Sequence, residues 1–181
     1  MNGKRFAVAI CALAFLSALS VARADEAAGV VTEMGFNKIA IKDKAGALRQ
    51  LTLSQGDTKF DPDTWRPAEG DAVIVTFTQQ DGRRGPVLTA SLVKLGKAGP
   101  NSIANLKSPI VVSVTESGKT GIKATLPDGK AIKFTRHSGT VYTPAGWVPA
   151  SGEKARVVFR IQPARLGYGL TYLADTIEKA N

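Results

Sequence analysis

Apolar and polar positions alternate with a period of two through much of the chain. Ile39 and Ile41 are set among Lys38, Ala40 and Lys42, and Val73, Val75 and Phe77 are interleaved with Thr76 and Thr78. That period turns successive side chains to opposite faces and predicts half-buried strands. Five strands are predicted early in the chain, over residues 29–34, 38–43, 48–54, 71–79 and 86–94. Turn-forming strings separate them, among them Lys44-Ala45-Gly46 and Asp81-Gly82-Arg83. The longest connection, between the third and fourth strands, holds Pro62, Trp65, Pro67 and Gly70. No helical period is sustained beyond residue 24; residues 173–178 are expected to form a short helical turn at most.

The pattern then recurs. Val31-Thr32-Glu33 reappears as Val114-Thr115-Glu116, and the same offset of 83 maps Gly35 to Gly118, Ile39 to Ile122 and Thr52 to Thr135. At an offset of 82, Thr58 maps to Thr140, Pro62 to Pro144, Trp65 to Trp147, Pro67 to Pro149, Gly70 to Gly152 and Phe77 to Phe159. The offset of 82 also maps Gly85 to Gly167 and Leu88-Thr89 to Leu170-Thr171. The shared string P-x-x-W-x-P-x-x-G-[DE] marks an internal duplication. A Gly/Pro/Asn/Ser-rich stretch lies between the copies. The expected organisation is a first repeat over 25–97, a linker over 98–108 and a second repeat over 109–181.

Five short antiparallel strands with a long third connection predict an all-β fold of two tandem five-stranded OB-like barrels. The Pro- and Trp-containing segment takes the place of the small helix that plugs such a barrel. An SH3-like barrel is the alternative. The chain also resembles a family of small exported bacterial β-barrel domains of unknown function that often occur in tandem. The resemblance rests on Gly29-Val30-Val31, Ile39-Ala40-Ile41, Thr58, Gly70-Asp71-Ala72-Val73-Ile74-Val75 and Ala90-Ser91-Leu92-Val93. The second repeat departs from it, with Glu153 in place of the Asp and Arg156 in place of an aliphatic residue. The resemblance implies fold and export and carries almost no biochemistry.

The first 24 residues read as a secretory signal peptide. Lys4 and Arg5 precede an apolar run from Phe6 to Ala22, and Ala22-Arg23-Ala24 supplies small residues at the cleavage positions. The mature chain is expected to start at Asp25, in the periplasm or outside the cell, with no integral membrane segment. Cys11 falls inside the removed run, so the mature protein has no thiol with which to form a disulfide or a thiolate metal site. Loss of the leader lowers the formal charge from +9 to +6. Residues 25–99 carry ten charges of each sign, whereas residues 100–181 carry eleven basic and five acidic ones. The whole excess therefore lies in the second repeat.

That excess is the main candidate for function. Alternation puts Val157, Phe159 and Ile161 on one face of the fourth strand and Arg156 and Arg160 on the other, while Lys133 points outward from the third. Lys119, Lys123, Lys130, Arg136 and Arg165 lie on neighbouring strands or turns. Lys123, Lys133, Arg136, Arg156, Arg160 and Trp147 are the expected ligand-binding residues, for a polyanion or an acidic protein. Against this stands the plainer reading of a solvated basic surface. Trp65 and Trp147 present either stacking platforms or, more simply, core plugs held by flanking prolines. The acids Asp57, Asp61, Asp63, Glu69 and Asp71 match no D-x-D-x-D-G calcium spacing and read as turn and cap residues. His137, the chain's one imidazole, has no assembled nucleophile–base set around it, so no enzyme activity and no cofactor are expected. The alternative to a ligand binder is an assembly subunit, in which the first repeat of one molecule meets the basic second repeat of another.

Overall fold

A computed structural model describes residues 24–83, 85–165 and 168–180. The expected signal peptide, apart from Ala24, lies outside the described residues, as do Arg84, Leu166, Gly167 and Asn181. The described chain is all-β. Its strands are β1 (Asp25–Met34), β2 (Lys38–Lys42), β3 (Leu48–Leu53), β4 (Lys59–Asp61), β5 (Ala72–Gly82), β6 (Gly85–Lys97), β7 (Ile110–Gly118), β8 (Gly121–Thr125), β9 (Ala131–Thr143), β10 (Lys154–Pro163) and β11 (Leu170–Lys179).

In the first repeat β1 pairs antiparallel with β2 and β5, β2 with β3, and β5 with β6. The sheet returns on itself where β6 runs parallel to β3 at Thr52–Thr89 and Leu53–Ala90, and then to β4. In the second repeat β7 to β11 form a closed barrel in the order β10-β11-β9-β8-β7, with β11 parallel to β9. In both halves the fifth strand lies between the third and the fourth, and the fourth returns to the first. This is the Greek-key order of an OB-type barrel rather than the SH3-like alternative. One strand differs between the copies. β9 is continuous, whereas its counterpart is broken into β3 and β4 by a turn in which Ser54 O accepts from the N–H groups of Asp57 and Thr58.

Each barrel has its own apolar filling. Val31, Ile39, Ile41, Leu51, Val75 and Val93 are buried in the first, and Val114, Ile122, Phe134, Val157, Ala174 and Ile177 in the second. As expected, the Pro- and Trp-containing segment stands in the place of a plug helix; the only helical element among the described residues is a 3₁₀ turn at Ile103–Asn105. Pro62 and Pro67 deprive the segment of backbone donors, and the buried indole of Trp65 closes the first barrel instead. Its Nε1–H donates to Asp71 Oδ2 at 3.0 Å. The fully buried Asp71 carboxylate also accepts from Ala68 N (2.9 Å), Gly99 N (2.7 Å) and Ser102 Oγ (3.1 Å), which offsets its desolvation. Gly99 and Ser102 thus bind the inter-repeat stretch to the first barrel. A Cβ at Gly99 would stand 2.4 Å from the carbonyl carbon of Gly70, so only glycine permits this approach.

Two local expectations are corrected. Residues 173–178 lie within β11, because pairing with both β10 and β9 outweighs any local helical tendency. The repeat map also shifts at the last hairpin. Phe77 pairs with Ala90, and Phe159 with Ala174; Val75 pairs with Val93, and Val157 with Ile177. The equivalent of Leu88 is therefore Tyr172 and not Leu170. Between Phe159 and Ala174 the chain is two residues longer than between Phe77 and Ala90, and Tyr168 sits in this longer hairpin.

Candidate functional site

Alternation places the basic side chains of the second barrel outward as expected. Five of the eleven basic side chains over 100–181, however, already face carboxylates. Lys123 Nζ is 2.5 Å from Glu116, Arg156 Nη1 is 2.6 Å from Glu178 and Arg160 Nε is 3.6 Å from Asp175. Lys130 meets Asp128, and Lys179 meets Glu153. Lys133 stands directly opposite Lys123 across the β8–β9 ladder. The basic face is thus an alternating lattice of charges rather than a continuous cationic track. These exposed pairs contribute little to stability, but they weaken the field a polyanion would meet.

Two of the six expected ligand-binding residues, Arg136 and Trp147, come together elsewhere. They line an open groove of about 540 Å³ in the second barrel, together with Gly118, Lys119, Tyr142, Ala145, Gly146 and Val148. Lys123, Lys133, Arg156 and Arg160 do not line it. The Arg136 guanidinium lies over the Tyr142 ring at 5.6 Å. Trp147 is half-buried and Val148 is 66% exposed, so the groove offers an apolar floor with cationic groups beside it. Behind Trp147, the Ala150 N–H at 2.7 Å holds the Glu153 carboxyl below the usual carboxylate range. Desolvation opposes this, and the Lys179 ammonium and the Trp147 indole add smaller contributions in the same direction as Ala150.

The first barrel explains why the groove is open. Register equates Arg136 with Leu53, since Leu53 pairs with Ala90 and Arg136 with Ala174. It likewise equates Tyr142 with Phe60. Leu53 and Phe60 are both buried. Over them sits Tyr168, from the lengthened loop of the second barrel, with its ring edge-on to Phe60 at 5.8 Å. The Arg66 guanidinium stacks on Phe60 at 4.4 Å, and its Nε–H donates to the Tyr168 carbonyl at 2.6 Å. Burial pulls the Arg66 pKa down and pushes the Tyr168 pKa up. One aromatic mouth is therefore filled by the chain itself, and its counterpart is vacant. Tyr142 is the residue that sequence reasoning missed. Its signal was present, because the offset of 82 pairs it with Phe60 between the matched Thr58/Thr140 and Pro62/Pro144.

The remaining candidates have local explanations. His137 Nε2 lies 3.0 Å from Asp175 Oδ1, and its Nδ1 accepts the Gly139 N–H at 3.0 Å. Both ring nitrogens are engaged, which fixes an Nε2–H tautomer when the ring is neutral. In the acidic loop, Asp57 accepts from Ser54 Oγ and Asp61 faces Lys94, while Asp71 is the buried acceptor described above. Among the described residues no three acidic or imidazole side chains converge as a metal site requires, and no helix is long and apolar enough to cross a membrane.

No family model matches the chain, and no curated protein does. Among solved structures it is similar to Ag(I)CusF, at 23% identity and a TM-score of 0.33, over 41% of this chain and 99% of that one. It is also similar to a multidomain protein with nucleic acid binding domains from Streptococcus pneumoniae, at 16% identity and a TM-score of 0.22. That match covers 82% of this chain and 50% of the other. Neither likeness is close enough to transfer a ligand.

Proposed function

We propose that this is an exported, non-enzymatic binding module whose second barrel docks an acidic protein segment in the Tyr142–Trp147 groove. The observation that carries the reading is the exchange of buried Leu53 for exposed Arg136 at the equivalent position. It opens the mouth of the second barrel and sets a guanidinium beside its aromatic floor. Lys119 adds a second cation to the lining. A compact site of two cations flanking apolar surface suits a carboxylate-bearing peptide better than an extended polyanion. The paired state of Lys123, Arg156 and Arg160 supports the same choice. Export is supported by the layout of the first 24 residues, and a cut before Asp25 leaves every described strand whole.

Poly-glutamate and heparin, titrated separately against the mature chain, test this. Poly-glutamate should bind, and Lys119→Glu with Arg136→Glu should weaken that binding by about tenfold or more, equivalent to about 1.4 kcal/mol. Reversal of Lys133, Arg156 and Arg160 should matter less. Retention of heparin alone, lost on the second set of reversals, would restore the polyanion reading. Mass spectrometry of the exported protein should find Asp25 as its first residue.

A further inference from the structure

The described aromatic side chains are all at least partly buried, with one exception. Phe36 is 87% exposed, in the tight β1–β2 turn where Gly35 N–H donates to Lys38 O. A lone exposed apolar side chain is ordinary. This one gains meaning from what the molecule does with Tyr168. That ring is also carried on a turn beside a glycine, Gly169, and it enters the aromatic mouth of the first barrel. The chain thus carries one aromatic ring that is docked in a mouth, one ring of similar presentation that is undocked, and one equivalent mouth that is vacant.

We infer that the vacant groove of the second barrel receives Phe36 of a second copy of this chain, giving a head-to-tail contact between molecules. The inference rests on the groove reading above and names its partner. Phe36 supplies the ring that Tyr142, Trp147 and Val148 would cover. Glu33, three residues before Phe36 on an exposed strand position, supplies a carboxylate for Lys119 or Arg136. The knob lies on the first barrel and the hole on the second, so the contact is heterologous: each molecule keeps one free end, and open chains grow with concentration. A symmetric dimer, by contrast, would bury Phe36 against Phe36 and stop at two.

Complementation between two surface variants of the mature chain tests this, read by sedimentation velocity over a concentration series. Phe36→Ser removes the knob and leaves the groove. Val148→Arg obstructs the groove and leaves the knob; both positions are exposed, so neither change should disturb folding. Wild type should show a mass that rises with concentration, and each variant alone should stay monomeric. An equimolar mixture of the two should give a one-to-one complex and nothing larger. Val148→Arg self-associating like wild type would overturn the inference in favour of a Phe36–Phe36 contact. Wild type that stays monomeric at every concentration would also overturn it. In that case, poly-glutamate binding that depends on Lys119 and Arg136 would leave the groove reading standing with an unrelated partner, whereas its absence would remove both.

Discussion

The two tryptophans show how one residue in one repeated string acquires two roles. Trp65 is 1% exposed and bonded to a buried Asp71; Trp147 is half-buried, and its neighbouring acid is Glu153. Glu153 is only partly buried and its carboxylate meets Lys179, so the second indole has no fully buried acceptor to match Asp71. Trp65→Ala should therefore destabilise the protein by about 3–5 kcal/mol, the scale for a buried large aromatic. Trp147→Ala should cost less than Trp65→Ala, because its ring packs against the second core while remaining partly in contact with water. Urea denaturation of both variants measures the difference; equal losses would place Trp147 in the core and remove it from the groove. Asp71→Ala should cost about 3 kcal/mol, since it leaves the Ala68 and Gly99 N–H groups without their acceptor and the Trp65 Nε1–H with Ser102 Oγ alone. The duplicated string announced that both tryptophans were tied to their loops. It did not announce which one was sealed in, because the sealing donors Gly99 and Ser102 come from a stretch whose composition reads as a linker.

At the scale of the strand, local alternation was a sufficient guide wherever one face is wet and the other dry. It located β1, β2, β3, β5 and β6 to within a few residues, and it oriented Val157, Phe159 and Lys133 correctly. It failed where pairing with distant strands decides. β4 is three residues long and exists only by its ladder with β6, and β11 overrides a mixed local pattern by pairing on both edges. The two-residue insertion before β11 was hidden because Leu170-Thr171 repeats Leu88-Thr89 by coincidence of type, and only the register separates them. The two tyrosines of this hairpin have an alkaline signature. Burial raises the pKa of Tyr168 and of Tyr172 above the usual value of about 10. Above that pH the unfolded chain gives up these protons first, so stability present below about pH 10 falls as the pH rises through the raised folded values. Replacing both by Phe should flatten the decline above about pH 10, measured by thermal melts against pH. An unchanged slope would mean that the two hydroxyls ionise in the folded state as freely as in water.

At the scale of the molecule, the two barrels have separate cores, and one described tether between them is the Tyr168 loop seated on Phe60 and Arg66. Burying most of an aromatic ring stabilises by about 1.5–3 kcal/mol, and the Arg66–carbonyl bond adds about 1.5 kcal/mol or more. A coupling of that size is comparable to a good part of a small domain's stability, so the repeats should unfold together. Tyr168→Ala should break the coincidence. In a Trp147→Phe background the emission of Trp65 reports the first barrel alone, while far-ultraviolet circular dichroism reports both. With Tyr168 in place the two probes should trace one transition. With Tyr168→Ala the Trp65 signal should move to lower denaturant and part of the dichroism change should remain behind, since the first barrel loses its cover while the second keeps its own Phe134, Phe159 and Ile177 core. Two superimposed curves in the variant would mean that the barrels are coupled through the Gly99–Ser102 stretch, whose bonds to Asp71 the substitution leaves intact.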